Sequence, residues 1–271
     1  IAVNNIERLV DGLGLDLYTE VIDWNDMKNL QKAYFKSGVP HIDTPQDHAF
    51  FATMYKFASK FNVKNILTGG NYSTECVRNP KEWMYFQSDS IQLKDIAKKF
   101  SDQEIKNYPI TNIIWHKVYL PYFKGIKLHR LLDFIPYNKE EATQFLIDNY
   151  GYERYPQKHF ESRFTRFYES YWLPEKFGFD TRKVQYSSLI LTNQLSRGEA
   201  LSLLSKPAYD PTTIHHEVEY IASKLDWSYD DLISIFNQPN KTYKDYANQE
   251  SIYNIGAKVL KILGKELGGK R

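Results

Sequence analysis

"NILTGGNYSTE", residues 65–75, is the stretch on which the reading of the fold turns. An apolar pair, Ile66-Leu67, runs into Thr68 and two glycines, then into Asn71, Tyr72, Ser73, Thr74 and Glu75. In an open parallel sheet, ligands bind beyond the carboxyl ends of the strands. Glycines there let backbone approach a ligand, and free N–H groups at a following helix start favour anions. The plain alternative is a strand-to-helix turn in which Ser73 or Thr74 caps the helix. The residue types leave both readings open, because a Gly-Gly pair is a weak signal.

Working outward, "LDLYTEVID" (15–23) reads as a strand and Trp24 to Lys36 as a helix. "TPQDHAFFATMYKFASKF" (44–61) reads as a strong helix: Thr44 can cap it, Pro45 fits its first position and Asp47 sits in the first turn. "VKNILTGG" (63–70) reads as a buried strand, and "ITNIIWHKVYL" (110–120) as another strand or the start of a helix. Strands and helices alternating without a tight hairpin indicate parallel α/β construction. After residue 120 the pattern turns helical. Asn138 caps one helix that stops at Gly151, and Ser196 with Glu199 and Ser228 with Asp231 form capping boxes for two more. The expectation is a parallel-sheet α/β domain over residues 1–120 and a mainly helical region over 121–271.

The composition sets limits. The chain has 271 residues, 42% hydrophobic and 15% aromatic, enough for a substantial core. A balance of 35 basic and 33 acidic residues gives a net charge of +2, too even for bulk nucleic-acid binding. Cys76 is the single cysteine, which leaves no disulfide framework and suits a reducing cytoplasm. No stretch reaches the ~20 apolar residues that span a bilayer. The start at Ile1, directly before a helical pattern, reads as a fragment or processed form.

A second candidate lies in "GYERYPQKHFESRFTRFYESYW" (151–172). At about 100° per residue, Phe160, Phe164, Phe167 and Tyr171 share one helical face. Lys158, Glu161, Ser162, Thr165 and Glu169 fall opposite, with His159, Arg163 and Arg166 between. A lysine, carboxylates and hydroxyls on one face equip a helix for phosphate, Mg²⁺ and proton handling. The alternative is a solvated face. Asp47 and His48 are a weaker candidate: Asp47 suits a helix N-terminus, and His48 fits a partly buried histidine better than a base. Arg182 and Lys183 can grip phosphate or sit in solvent. The sequence holds no G-x-x-x-x-G-K-[ST], G-x-S-x-G, G-x-G-x-x-G or H-E-x-x-H.

Taken together, "IDWNDMKNLQKAYFKSG" (22–38), "PQDHAFFATMYKFASKF" (45–61), "LTGGNYSTE" (67–75), "KHFESRFTRFYESYWLPEKFGFDTRK" (158–183) and "LSRGEALSLLSKPAYD" (195–210) resemble the N-acetyl sugar amidotransferase family of PP-loop ATP pyrophosphatases. The resemblance runs over nearly the whole chain, and the block from Lys158 to Lys183 is its most specific part. It implies an adenine-nucleotide α-hydrolase-like parallel sheet. The family's S-G-G-x-D-S phosphate loop and its upstream cysteine pairs are absent from this sequence, so the layer is expected to be N-terminally truncated and weak in adenylation by itself.

The activity implied is ATP-dependent conversion of an acetamido group on a nucleotide-linked sugar to an acetamidino group, in bacterial surface-glycan (lipopolysaccharide) biosynthesis. ATP would adenylate the amide oxygen, and ammonia would displace AMP. The implied partners are a glutaminase subunit that supplies ammonia and a histidine-pathway-like cyclase subunit; the implied cofactors are ATP and Mg²⁺. Carried over by position, Gly69, Gly70, Asn71, Glu75 and Lys183 fall on the nucleotide side, with Glu75 also at the metal. Lys158, His159 and Glu161 fall at the reacting centre, and Ser162, Arg163, Thr165 and Arg166 at the sugar. Two other functions stay open: a non-catalytic nucleotide-sugar-binding or scaffold module of such a complex, and a tRNA-modifying PP-loop enzyme.

Overall fold

The computed structural model describes residues 1–75, 79–155 and 161–262. In chain order it forms α1 (Ala2–Leu13), α2 (Trp24–Ser37), α3 (Thr44–Lys60), strand β1 (Asn65–Leu67), α4 (Ser90–Phe100), strand β2 (Lys127–His129), α5 (Lys139–Tyr150), α6 (Arg163–Phe167), α7 (Thr181–Leu191), α8 (Arg197–Leu204), α9 (Ile214–Lys224), α10 (Tyr229–Phe236) and α11 (Glu250–Ile262). Two π-helical stretches, Trp115–Phe123 and Tyr168–Phe177, each contain a proline, Pro121 and Pro174. A proline lacks the N–H and crowds the carbonyl four residues back, so the backbone widens there.

Most helix starts follow from local chemistry. Asp23, Asp89 and Asn138 each accept backbone N–H bonds from the first turns of α2, α4 and α5. Ser196 and Ser228 complete the two expected capping boxes. Asn138 and a left-handed Gly151 (φ 64°) bracket α5 as the sequence indicates. Helix α3 starts at Thr44 itself, so the capping position falls one residue earlier than expected, on Asp43. Thr44 lies inside it, and its hydroxyl donates to the His41 carbonyl at 2.8 Å.

The expected parallel-sheet layer is overturned. The chain is mainly helical, and among the described residues its only sheet is one parallel pair of three-residue strands, with Asn65, Ile66 and Leu67 against Lys127, Leu128 and His129. An adenine-nucleotide α-hydrolase-like (PP-loop) layer is not formed. The segment 15–23, expected as a strand, has no strand conformation; its apolar side chains meet solvent, Val21 being 90% exposed. The run 110–120 leads into the first π-helical stretch, and β2 follows it, starting in a segment that carries no long apolar run. Short apolar runs fit strand and helix equally well, and without neighbouring strands to bury both faces the helical option wins.

Two compact units divide the chain. The first comprises Ile1–Val21, Thr68–Val77 and Arg130–Ile214, the second Ile22–Leu67, Arg78–His129 and His215–Arg271. In the first unit, α1 packs on α5. The buried amide of Asn5 donates to the Glu153 carbonyl at 2.9 Å and accepts the Glu153 N–H at 2.8 Å. Gly12 permits the approach: a Cβ there would stand 2.6 Å from Cδ1 of Tyr150. Further along, Phe167, Tyr168, Trp172 and Leu173 bury the face of the second π-helical stretch.

In the second unit α2 packs on α4; Leu30, Ala33, Tyr34 and Phe35 of α2 and Leu93 and Ile96 of α4 are all buried, with Phe35 edge-on to Trp227 and Tyr34 edge-on to His41. Full burial of a Leu, Ile or Phe is worth about 1.5–3 kcal/mol, so this layer is the main apolar anchor of the unit. A smaller cluster of Ala58, Leu120 and Ile126 sits with Ile66 of β1.

Candidate functional site

The site begins with the loop that follows β1. Thr68 Oγ1 accepts the Gly70 N–H at 3.1 Å, and Asn71 Nδ2 donates to the Gly69 carbonyl at 3.1 Å. Asn71 Oδ1 accepts the Thr74 N–H at 2.8 Å. Asn71 is almost wholly buried, so this side chain is the hub on which the loop closes. Asn suits the post because one short amide can accept and donate to backbone within three residues.

Arg130 clamps the loop from the segment after β2. Its Nε lies 3.4 Å from the Gly70 carbonyl oxygen and 3.0 Å from Asp133 Oδ2. Its guanidinium stacks 4.9 Å over the Tyr72 ring. Asp133 Oδ1 in turn accepts the Tyr72 N–H at 2.9 Å. A Cβ on Gly70 would meet Thr68 Oγ1 at 3.2 Å, Arg130 Nε at 3.3 Å and Glu75 Oε2 at 3.7 Å. Gly70 thus lets Arg130 approach without either neighbour giving way, and Glu75 stands beside it. Sequence reasoning missed Arg130 and Asp133; their i,i+3 spacing in "RLLD" was the available signal, and nothing in it names Gly70 as their partner.

The amides of Gly70, Tyr72 and Thr74 are spent on Thr68, Asp133 and Asn71. A phosphate group approaching those three amides would have to displace these bonds. Glu75 is its one carboxylate, while no cluster of three or more His, Cys, Asp or Glu able to hold a metal occurs among the described residues.

The second candidate stretch folds differently from the expected long helix. Helix α6 begins at Arg163, and Ser162 is its cap, accepting the Thr165 N–H at 3.2 Å. Glu161 and Ser162 thus precede the helix, while Arg163, Thr165 and Arg166 lie on it. Phe167 faces the core, and Thr165 and Arg166 are half-buried. Glu161 acts electrostatically on Tyr152, whose hydroxyl burial and the nearby Tyr155 push its pKa up. Lys158 and His159 lie outside the described residues.

Lys183 is exposed on α7. Its neighbour Arg182 is structural. It pairs with Asp180, Nη2 to Oδ2 at 2.8 Å and Nε to Oδ1 at 3.0 Å, and Nη1 donates to the Lys206 carbonyl at 3.0 Å. Arg182 thereby ties the start of α7 to the end of α8.

Asp47 and His48 belong to a buried polar cluster of the second unit. His48 is fully buried, and Nδ1 accepts the Thr111 N–H at 3.3 Å. That leaves the proton on Nε2, which has the Asp89 carbonyl near it but no well-formed hydrogen bond. Burial lowers the His48 pKa to about 4, the His41 pKa to about 4 and the His116 pKa to about 3. Burial and the nearby Asp43 push the Asp47 carboxyl well above the usual range, against hydrogen bonds such as that from the Tyr85 hydroxyl at 3.3 Å. Through this cluster His48 ties α3 to Thr111, and His41, just before α3, bonds Gln92 of α4 at 2.9 Å.

The stretch that opens at Glu161 carries the deciding likeness. Residues 161–260 match the family described as LPS biosynthesis protein WbpG-like, C-terminal domain. The match associates this part of the chain with lipopolysaccharide biosynthesis and takes in Glu161, Ser162, Arg163, Thr165, Arg166 and Lys183. No curated protein matches the chain.

Proposed function

We propose that the chain serves lipopolysaccharide biosynthesis as the part of an N-acetyl sugar amidotransferase that holds a nucleotide-linked acetamido sugar. The reaction of the whole assembly would turn the acetamido group into an acetamidino group. ATP would be the activating substrate and a glutaminase subunit the source of ammonia, with a histidine-pathway-like cyclase subunit as conduit. An amide oxygen leaves poorly until it is joined to phosphorus, and this is the chemical need that ATP answers.

The observation that carries the reading is the WbpG-like match beginning at Glu161, which overlaps the basic and hydroxyl-bearing residues of α6 and its cap. Arg163 and Arg166 supply planar donors suited to a diphosphate, and Ser162 and Thr165 supply hydroxyls suited to a sugar. Lys158 and His159 belong to the same run of sequence, with Lys158 read as charge stabilisation and His159 as proton transfer. Glu75 is the carboxylate read as a water or Mg²⁺ contact.

A second reading, a binding module without chemistry of its own, is favoured by the loop at Thr68–Glu75, where the amides of Gly70, Tyr72 and Thr74 are already bonded. Titration with a UDP-linked N-acetyl sugar and with ATP–Mg²⁺ separates the two. Sugar binding with no ATP–pyrophosphate exchange supports the module, and clear exchange supports the enzyme. Failure to bind any nucleotide-linked acetamido sugar rejects both.

A further inference from the structure

Charge in this chain is nearly balanced overall, yet two long runs carry no acid. Neither residues 48–74 nor residues 105–132 contain a single Asp or Glu. The fold of the second unit brings these two runs together at the start of the β1–β2 pair. The Lys127 N–H donates to the Lys64 carbonyl at 2.8 Å, and Lys64 Nζ donates to the Lys124 carbonyl at 2.9 Å. Lys60, Lys64, Lys124 and Lys127 are all exposed, and none makes an ion pair among the described residues.

Aromatic side chains stand between these lysines. Phe61, at the end of α3, is 45% exposed, and Phe123, at the end of the first π-helical stretch, is 74% exposed. Lys60 Nζ lies 5.2 Å over the Phe61 ring. Phe123 is braced by a stack through Tyr119 to Trp115, with ring centroids 5.9 and 4.4 Å apart. Beneath lies the small core of Ala58, Leu120 and Ile126, which fixes the two runs to each other.

We propose that this lysine and phenylalanine rim is a docking face for the anionic surface of a lipid bilayer. Unneutralised lysines have a favourable partner in an anionic surface, each worth about a fivefold gain in partitioning. Exposed rings among them have a favourable place at the boundary between headgroups and acyl chains. A purely acidic polymer would satisfy the lysines but leave Phe123 in water. No helix among the described residues is long and apolar enough to cross a membrane, so the contact is peripheral. It would hold the chain at a surface rather than take part in chemistry.

The test is co-sedimentation of the full chain with vesicles of equimolar phosphatidylcholine and phosphatidylglycerol, beside vesicles of phosphatidylcholine alone and free polyglutamate. Retention on the anionic vesicles, weakened by added salt, is expected. The triple variant Lys60→Glu, Lys124→Glu, Lys127→Glu should lose about a hundredfold or more of that partitioning, with an unchanged far-UV dichroism spectrum. Phe123→Ala should lower it separately. Equal retention on neutral vesicles, retention unmoved by the charge reversals or by Phe123→Ala, or binding of polyglutamate in place of vesicles would each overturn the proposal.

Discussion

Arg130 and Gly70 meet through a contact that depends on the absence of a side chain: the guanidinium Nε lies 3.4 Å from the glycine carbonyl oxygen, with Asp133 holding the other side of the arginine at 3.0 Å. Gly70→Ala would place a methyl 3.2 Å from Thr68 Oγ1 and 3.3 Å from Arg130 Nε. One of the two must give way, which loosens the loop that carries Asn71 and Glu75. The expected cost is about 1–3 kcal/mol, read as a lower urea midpoint. Gly69→Ala, where a Cβ meets nothing within 4 Å, should be milder. Equal costs at the two glycines would refute the clamp.

The helix packing of the first unit makes a similar demand at Gly12. Its added Cβ would overlap the Tyr150 ring at 2.6 Å. Gly12→Ala raises intrinsic helix propensity by about 1 kcal/mol, so an isolated helix would gain. The fold should instead lose about 1–3 kcal/mol through overpacking. Combining it with Tyr150→Ala should remove most of the clash penalty. Additive effects in that double-mutant cycle would show that the two side chains do not meet.

Stability should fall on acidification through the histidine range. His41, His48 and His116 are held neutral by burial, with pKa values near 4, 4 and 3 against about 6.5 in an unfolded chain. The folded pKa is the depressed one, so below pH ~6.5 the unfolded chain binds more protons and stability drops towards pH ~4. Each histidine contributes roughly 3–5 kcal/mol at the acid limit. Asp47 acts oppositely. Its raised pKa makes the folded state bind the proton more tightly, which penalises folding as pH rises above the ordinary carboxylate range. Asp47→Asn should therefore raise stability near neutral pH and steepen the acid loss. Chemical denaturation at a series of pH values checks both, and a flat profile between pH ~6.5 and ~4 contradicts the neutral core.

Local signals were legible in the sequence and long-range ones were not. Asn138, Ser196 and Ser228 act within a turn of their own position, and their caps formed as read. The sheet failed as an expectation because strand pairing is decided by distant partners. Leu15 and Leu17 alternate like a strand, yet among the described residues no strand pairs with them, while β1 pairs with residues 127–129, beyond a run that looked more apolar. At the candidate site the glycines, Asn71 and Glu75 could be named because turn chemistry is local. Arg130 reaches Gly70 from sixty residues away, and His48 lost its solvent contact through packing that no periodicity encodes.

Arg182 supports a last prediction, one that separates structure from substrate contact within the matched stretch. Its guanidinium is committed to Asp180 and to the Lys206 carbonyl, with the Leu203 carbonyl at 3.4 Å. Asp180 keeps its guanidinium pKa raised through this pairing. Lysine offers one charged head in place of a planar fork and cannot satisfy both ends at once. Arg182→Lys should therefore cost about 1–3 kcal/mol of stability while nucleotide-sugar affinity, measured below the melting range, stays unchanged. Lys183→Ala should do the reverse, leaving stability within about 0.5 kcal/mol and weakening binding if the exposed lysine meets phosphate. Thermal denaturation and titration calorimetry on the two variants read these out. A loss of affinity in Arg182→Lys without loss of stability would move Arg182 from the brace between α7 and α8 to the binding surface.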